Sequence, residues 1–229
     1  MEFLVPRFQI EIKFTPLLNF SSIGKEVLSN FVSEVQTLNV LGENTINESI
    51  VLDYDQYNRI TLNFLSLILF TEGPIFHLSE SNSFIEHPLL DILNQLKTVR
   101  GWGNINKVLY YGVFVKIQPD KSNEQVIQEF KTMYFNQSVN DIFGSEPKDY
   151  AFTIKNKIRN SEVYVEKGPY SGIKDLKAKK AVPKDPEMNV KLQGVGEGTI
   201  ITIADDNPAF SFSSFKENLN YIKQILQVK

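Results

Sequence analysis

The chain has no cysteine, one tryptophan, two histidines and almost no excess of either charge sign. Without cysteine there are no disulfides, no thiolate metal sites and no cysteine nucleophile, and the composition fits a reducing compartment. A cytoplasmic location is therefore the expectation. With 24 Lys and Arg against 27 Asp and Glu, the formal net charge is -3, so no global field draws the chain to polyanions. Long apolar runs are also lacking. The longest, Leu62-Asn-Phe-Leu-Ser-Leu-Ile-Leu-Phe70, is stopped by Thr71-Glu-Gly-Pro74, far short of the roughly 20 residues that span a bilayer. Met1-Glu-Phe-Leu-Val-Pro-Arg7 carries an acidic residue where an export signal needs basic ones, so neither export nor a membrane partner is expected.

What is present describes an ordered α+β chain. A hydrophobic content of 42% with 22% charged residues lies outside the range of disordered sequences. Phe8-Gln-Ile-Glu-Ile-Lys-Phe-Thr-Pro16 and Tyr111-Gly-Val-Phe-Val-Lys-Ile-Gln-Pro119 read almost as copies, each an alternating strand closed by proline. After the first strand, Ser21-Ser22 and a stripe from Ile23 through Val27, Leu28, Phe31, Val32 and Val35 to Leu38 predict a helix. Ser49 to Tyr54 and Ile60 to Phe70 predict a hairpin around Asp55-Gln-Tyr-Asn-Arg59. Ser83-Phe-Ile-Glu86 has capping-box spacing, and a helix starting at Pro88 runs through Leu89, Ile92, Leu93, Leu96 and Val99 to Gly101.

The second half follows the same order. Ser122-Asn-Glu-Gln125 opens a helix, and Tyr150 to Lys157, Glu162 to Glu166 and Thr199 to Ala204 are strands. Ser214-Phe-Lys-Glu217 opens the last helix, with Phe215, Leu219, Ile222 and Leu226 on one face. The expected fold is a duplicated strand-helix-strands-helix arrangement: halves 1–106 and 107–229, a mainly antiparallel sheet and helices on one face. The second half carries an insertion, 167–198, rich in Lys, Gly and Pro, which reads as a long surface loop or extended excursion.

No catalytic signature stands out. His87 with Asp91 could form a metal or acid-base pair, but one histidine makes a poor ligand set, and a structural role is the simpler reading. Gly194-Val-Gly-Glu-Gly198 precedes a strand instead of opening a helix, which is the wrong context for a phosphate loop. Asp205-Asp206 leads into Asn207-Pro208 and reads as a turn. Catalytic residues, cofactors and metal ligands are therefore not assigned. Interaction residues are. Trp102, between two glycines, could anchor a partner, although packing beneath a helix-to-strand connection is the simpler reading. Lys174, Lys177, Lys179, Lys180 and Lys184 concentrate positive charge in the insertion, where Tyr170 could stack on a base.

The order of these elements, the Gly101-Trp-Gly-Asn-Ile-Asn106 approach to the central strand and Ile203-Ala-Asp-Asp206 before a terminal helix together resemble an uncharacterised, sporadically distributed prokaryotic family of two-half proteins. The resemblance implies no catalytic residue. The architecture also resembles the duplicated saddle of the TATA-binding protein and paired ferredoxin-like halves. The leading expectation is a non-enzymatic protein-binding subunit or adaptor of a bacterial assembly, such as a defence or mobile-element system, with another protein or a second copy as partner. The alternative is a nucleic-acid-binding module using the insertion lysines.

Overall fold

The computed structural model describes residues 3–55, 57–74, 85–135, 150–158, 160–206 and 210–227. In chain order the elements are β1 (Leu4–Phe14), α1 (Phe20–Ser29), a 3-10 turn (Val32–Glu34), β2 (Thr37–Leu41), β3 (Ser49–Asp53), β4 (Asn58–Asn63) and β5 (Ser66–Pro74). An irregular helical turn, Ile85–Leu89, leads into α2 (Leu90–Thr98) and β6 (Ile105–Ile117). There follow α3 (Asn123–Tyr134), β7 (Phe152–Ile158), β8 (Ser161–Tyr170), α4 (Ile173–Ala178), α5 (Pro186–Lys191), β9 (Gly196–Asp205) and α6 (Phe212–Leu226).

The described strands join one antiparallel nine-stranded sheet in the order β2-β3-β4-β5-β1-β6-β9-β8-β7. The first strand of each half thus lies at the centre, with β1 paired to β6 (Ile10 opposite Tyr110), and each half fans outward from that pair. The class expected from sequence, α+β with a mainly antiparallel sheet, is the observed one.

One face of the sheet, here called the core face, carries Phe8, Ile10, Ile12 and Phe14 of β1, Ile60 and Leu62 of β4, and Tyr110 and Phe114 of β6. Apolar rows from α1 (Val27, Leu28), α2 (Ile92, Leu93, Leu96) and α6 (Phe215, Leu219, Ile222) cover it. The α3 helix joins them through Phe130, whose ring stacks on Phe152 at 5.8 Å. Its start is the capping box read from sequence: Ser122 accepts from the Gln125 N–H and Gln125 returns the bond to the Ser122 N–H.

Several local expectations change. The α1 helix stops at Ser29, and Leu38, which continued its stripe on paper, sits in β2 opposite Leu52. Alternation in Thr37-Leu-Asn-Val-Leu41 and the open edge of β3 outweigh the helical spacing. The run from Ile60 to Phe70 is two strands, turned where Asn63 Oδ1 accepts from the N–H groups of Leu65 and Ser66, each at 2.8 Å. The final helix opens one turn early, at Ser211, which exchanges capping bonds with Ser214. The Ser83 capping box and His77 lie outside the described residues.

The largest departure is the insertion. Its strands run to Tyr170 and resume at Gly196, and between them α4 and α5 lie on the sheet face opposite the core face. Leu176, Ala181, Met188 and Leu192 bury Val113, Val115 and Tyr170 there in a second, smaller core. The segment is therefore a packed cover, not a surface loop, and it places short helices on the face expected to be bare.

Candidate binding surface

The second face has a part covered by α4, α5 and the segment joining them, and a part that is open. β6 explains the division. Its core-face residues, Tyr110 and Phe114, alternate with Val113 and Val115, which point to the second face and are buried by the insertion. β1 has the same core-face row, but its second-face positions are polar: Arg7, which bonds to the cover, and then Gln9, Glu11 and Lys13. The two near-copies thus differ in facing: Phe8, Ile10 and Ile12 lie toward the core face, while the letters matched to them, Tyr111, Val113 and Val115, lie toward the second. A one-residue slip in an alternating pattern exchanges the faces.

Two side chains of the first half hold the cover in place. Arg7 Nη1 donates to the Lys180 carbonyl at 2.7 Å, Arg7 Nη2 donates to Gln9 at 2.9 Å, and the guanidinium lies 4.9 Å from the Phe70 ring centre. Glu72 accepts from the backbone N–H of Lys184 and of Asp185, each at 2.9 Å. Asp185 in turn caps α5 by accepting from the Glu187 N–H at 2.9 Å. Burial raises the Glu72 pKa above the ordinary glutamate value, and the two N–H donors only partly offset it. Beside them, burial alone would raise the Asp53 carboxyl, but Arg59, with Nε at 2.6 Å, Lys184 and Thr37 together hold it below its usual range. Arg7, Asp53, Arg59, Phe70, Glu72 and Lys184 line a cleft between the cover and the sheet.

Beyond this cleft the second face continues as an open trough. Its floor carries Glu11, Lys13, Thr61 and Asn63, and its sides are the β2–β3 loop, with Ile46, and Lys107 paired to Asp206 at 3.2 Å. Glu11 and Lys13 are 3.8 Å apart. Charges of both signs alternate over the trough, and Ile46 is 74% exposed at its rim.

The residues singled out from sequence do not converge on one site. Tyr170 is 2% exposed, and its hydroxyl donates to the Leu192 carbonyl at 2.7 Å, so its ring supports the cover and offers no face for stacking. Trp102 packs 5.0 Å from Phe14 at the margin of the main core. Lys179 pairs with Glu166 at 2.5 Å, Lys184 reaches Asp53 at 3.6 Å, and the Lys180 carbonyl serves Arg7. Lys174 and Lys177 are exposed on α4. The late glycines are structural: a Cβ on Gly196 would stand 2.0 Å from the Lys116 carbonyl oxygen. Asp205 is buried, and Asp206 is held by Lys107 at 3.2 Å.

His87 is drawn between two carboxylates, with Nδ1 bonded to Asp91 and Nε2 3.2 Å from Glu34. The carboxylates occupy opposite ring nitrogens, which fixes the ring instead of leaving a nitrogen for a metal. Among the described residues no group of three or more His, Asp and Glu is arranged to hold a metal ion. The Asp91 bond, and to a smaller degree Glu34, raises the His87 pKa. Because the folded value is raised, the stabilisation is fully present below the unfolded value of about 6.5 and is lost as pH rises through the folded one. The ring is well exposed, so the contribution is small and salt-screened. In an NMR titration the His87 imidazole should titrate above the ordinary histidine value and move down in Asp91→Asn; an unchanged midpoint in that variant would contradict the pairing.

Arg7, Asp53, Arg59 and Glu72 were not singled out from sequence. The available signal was charged residues at outward positions of β1, β3, β4 and β5. No described helix is long and apolar enough to cross a membrane. No family model matches the chain, and no curated protein matches it.

Proposed function

We propose that this chain is a non-enzymatic protein-binding subunit or adaptor of a bacterial multiprotein assembly, such as a defence or mobile-element system, and that it holds its partner in the trough on the second face of the sheet. The observation that carries this reading is the asymmetry of that face. The insertion buries Val113, Val115 and Tyr170 in an apolar core of its own and reaches the first half at Arg7, Asp53 and Glu72, whereas farther along the face Glu11, Lys13, Lys107 and Asp206 are left beside an exposed Ile46. Mixed charge around an apolar contact suits a protein surface, whose rim is polar and whose charges must be matched pairwise. A polyanion would be met by one sign of charge.

The test is recovery of tagged full-length chain from its native cells under gentle conditions, beside the double exchange Glu11→Lys with Lys13→Glu. The expected result is a stoichiometric partner with the natural chain and its loss with the exchanged one, both chains melting alike. A lone chain in both preparations would overturn the proposal. If nucleic acid were recovered instead, with an affinity falling steeply with salt and lost when Lys177, Lys179, Lys180 and Lys184 are changed to Gln, the nucleic-acid reading would replace it.

A further inference from the structure

An open nine-stranded sheet has two edges, and here they differ in chemistry. The β7 edge is Phe-Thr-Ile-Lys-Asn-Lys-Ile, with exposed Lys155 and Lys157. Lysines on an outer strand oppose the approach of another strand, a common protection of sheet edges. The β2 edge, Thr37-Leu-Asn-Val-Leu41, contains no charge, proline or glycine, and its pairing with β3 is regular at every residue. Its outer backbone groups have no strand partner among the described residues. Leu38 and Leu41 are 40% and 55% exposed. Leu38 and Val40 stand opposite Leu52 and Ile50, so they extend the core-face apolar row to the edge, where it ends uncovered.

We propose that β2 pairs antiparallel with β2 of a second copy of this chain, about a two-fold axis at Asn39, joining the two sheets into one. The order of residues selects a second copy as the occupant. With Asn39 on the axis, Leu38 falls opposite Val40 of the second copy and Val40 opposite Leu38, all on the core face. Thr37 falls opposite Leu41, and the two Asn39 amides meet on the second face, each offering a donor and an acceptor. Every apolar side chain on the core face gains an apolar neighbour, and no charge meets its like. The same operation on β7, centred on Lys155, sets lysine against lysine. The interface uses a different surface from the trough, so its failure and that of the proposed function are separable.

The test uses light scattering on the full chain with Asn39→Lys and Asn39→Glu, changes at an exposed position. The natural chain is expected to show twice the 26.2 kDa chain mass. Each variant alone should be a monomer, because the axis brings like charges together, and an equimolar mixture should recover the double mass. A natural chain that stays monomeric up to millimolar concentration overturns the proposal, as does a dimer that both variants retain. Independently of any variant, amide exchange across Thr37–Leu41 should slow as protein concentration rises; exchange that ignores concentration contradicts the interface.

Discussion

Gly112→Val is expected to destabilise the chain by about 3 kcal/mol, at the upper end of what overpacking costs. Gly112 sits in the middle of β6, between Tyr110 and Phe114 on the core face. A Cβ there would stand 2.4 Å from two atoms of the Phe114 ring and 3.2 Å from Phe8. Neither ring can retreat, since both are fully buried in the main core between the sheet and its helices. For a chain of this size the change corresponds to a fall of about 6–12 °C in melting temperature. Thermal and denaturant unfolding of the purified variant measure it. Phe114→Leu removes part of the ring that Gly112 accommodates, so combining it with Gly112→Ala should cost less than the two changes summed. Strict additivity would show that Phe114 does not fill the space above Gly112.

The second large effect concerns the cover. Glu72→Ala should release the segment 180–188 from the first half, because the Lys184 and Asp185 N–H groups lose their common acceptor. The two bonds are exposed and part-buried, so water replaces part of each, and a net loss of about 1–1.5 kcal/mol lowers protection against exchange there by up to about tenfold. Hydrogen exchange read peptide by peptide tests this. The expected change is confined to 180–188 and leaves β1 and β6 protected; unchanged exchange in that segment would mean that Glu72 does not anchor it. The pH dependence follows from the raised Glu72 pKa. A carboxyl whose folded value is raised binds its proton more tightly in the docked state, so acid does not release the cover through this group. Its favourable contribution is complete below the unfolded value of about 4.3 and is lost as pH rises through the folded value. Replacement by Gln keeps one acceptor oxygen without the charge, and should retain part of the protection and lose this pH dependence.

Much of the sheet was legible because alternation is a direct consequence of one covered face. Phe8, Ile10, Ile12 and Phe14 declare their side without reference to anything distant. The same rule, applied to β6, held a second message. Val113-Phe-Val115 is apolar at consecutive positions, the mark of a strand covered on both sides, and the second cover could only come from elsewhere in the chain. Reading the run as a copy of β1 concealed that message. The insertion itself offered little periodicity, since α4 and α5 are short and bury only Leu176 and Met188 within their helical spans. The contacts that seat it were not legible either. Glu72 meets backbone N–H groups 112 and 113 residues away, and a carboxylate docked on main chain leaves no partner side chain for a pattern to show. The lysines drew attention through their number, yet Lys179 and Lys184 turn to Glu166 and Asp53.

Everything proposed for the open trough depends on the insertion lying over Val113 and Val115 and reaching the first half only around Arg7, Asp53 and Glu72. Methyl-labelled NMR tests that placement most directly. The account predicts nuclear Overhauser contacts from the Met188 and Leu192 methyl groups to those of Val113 and Val115. Leu192 methyls at random-coil shifts, with no contact to Val113 or Val115, would contradict it.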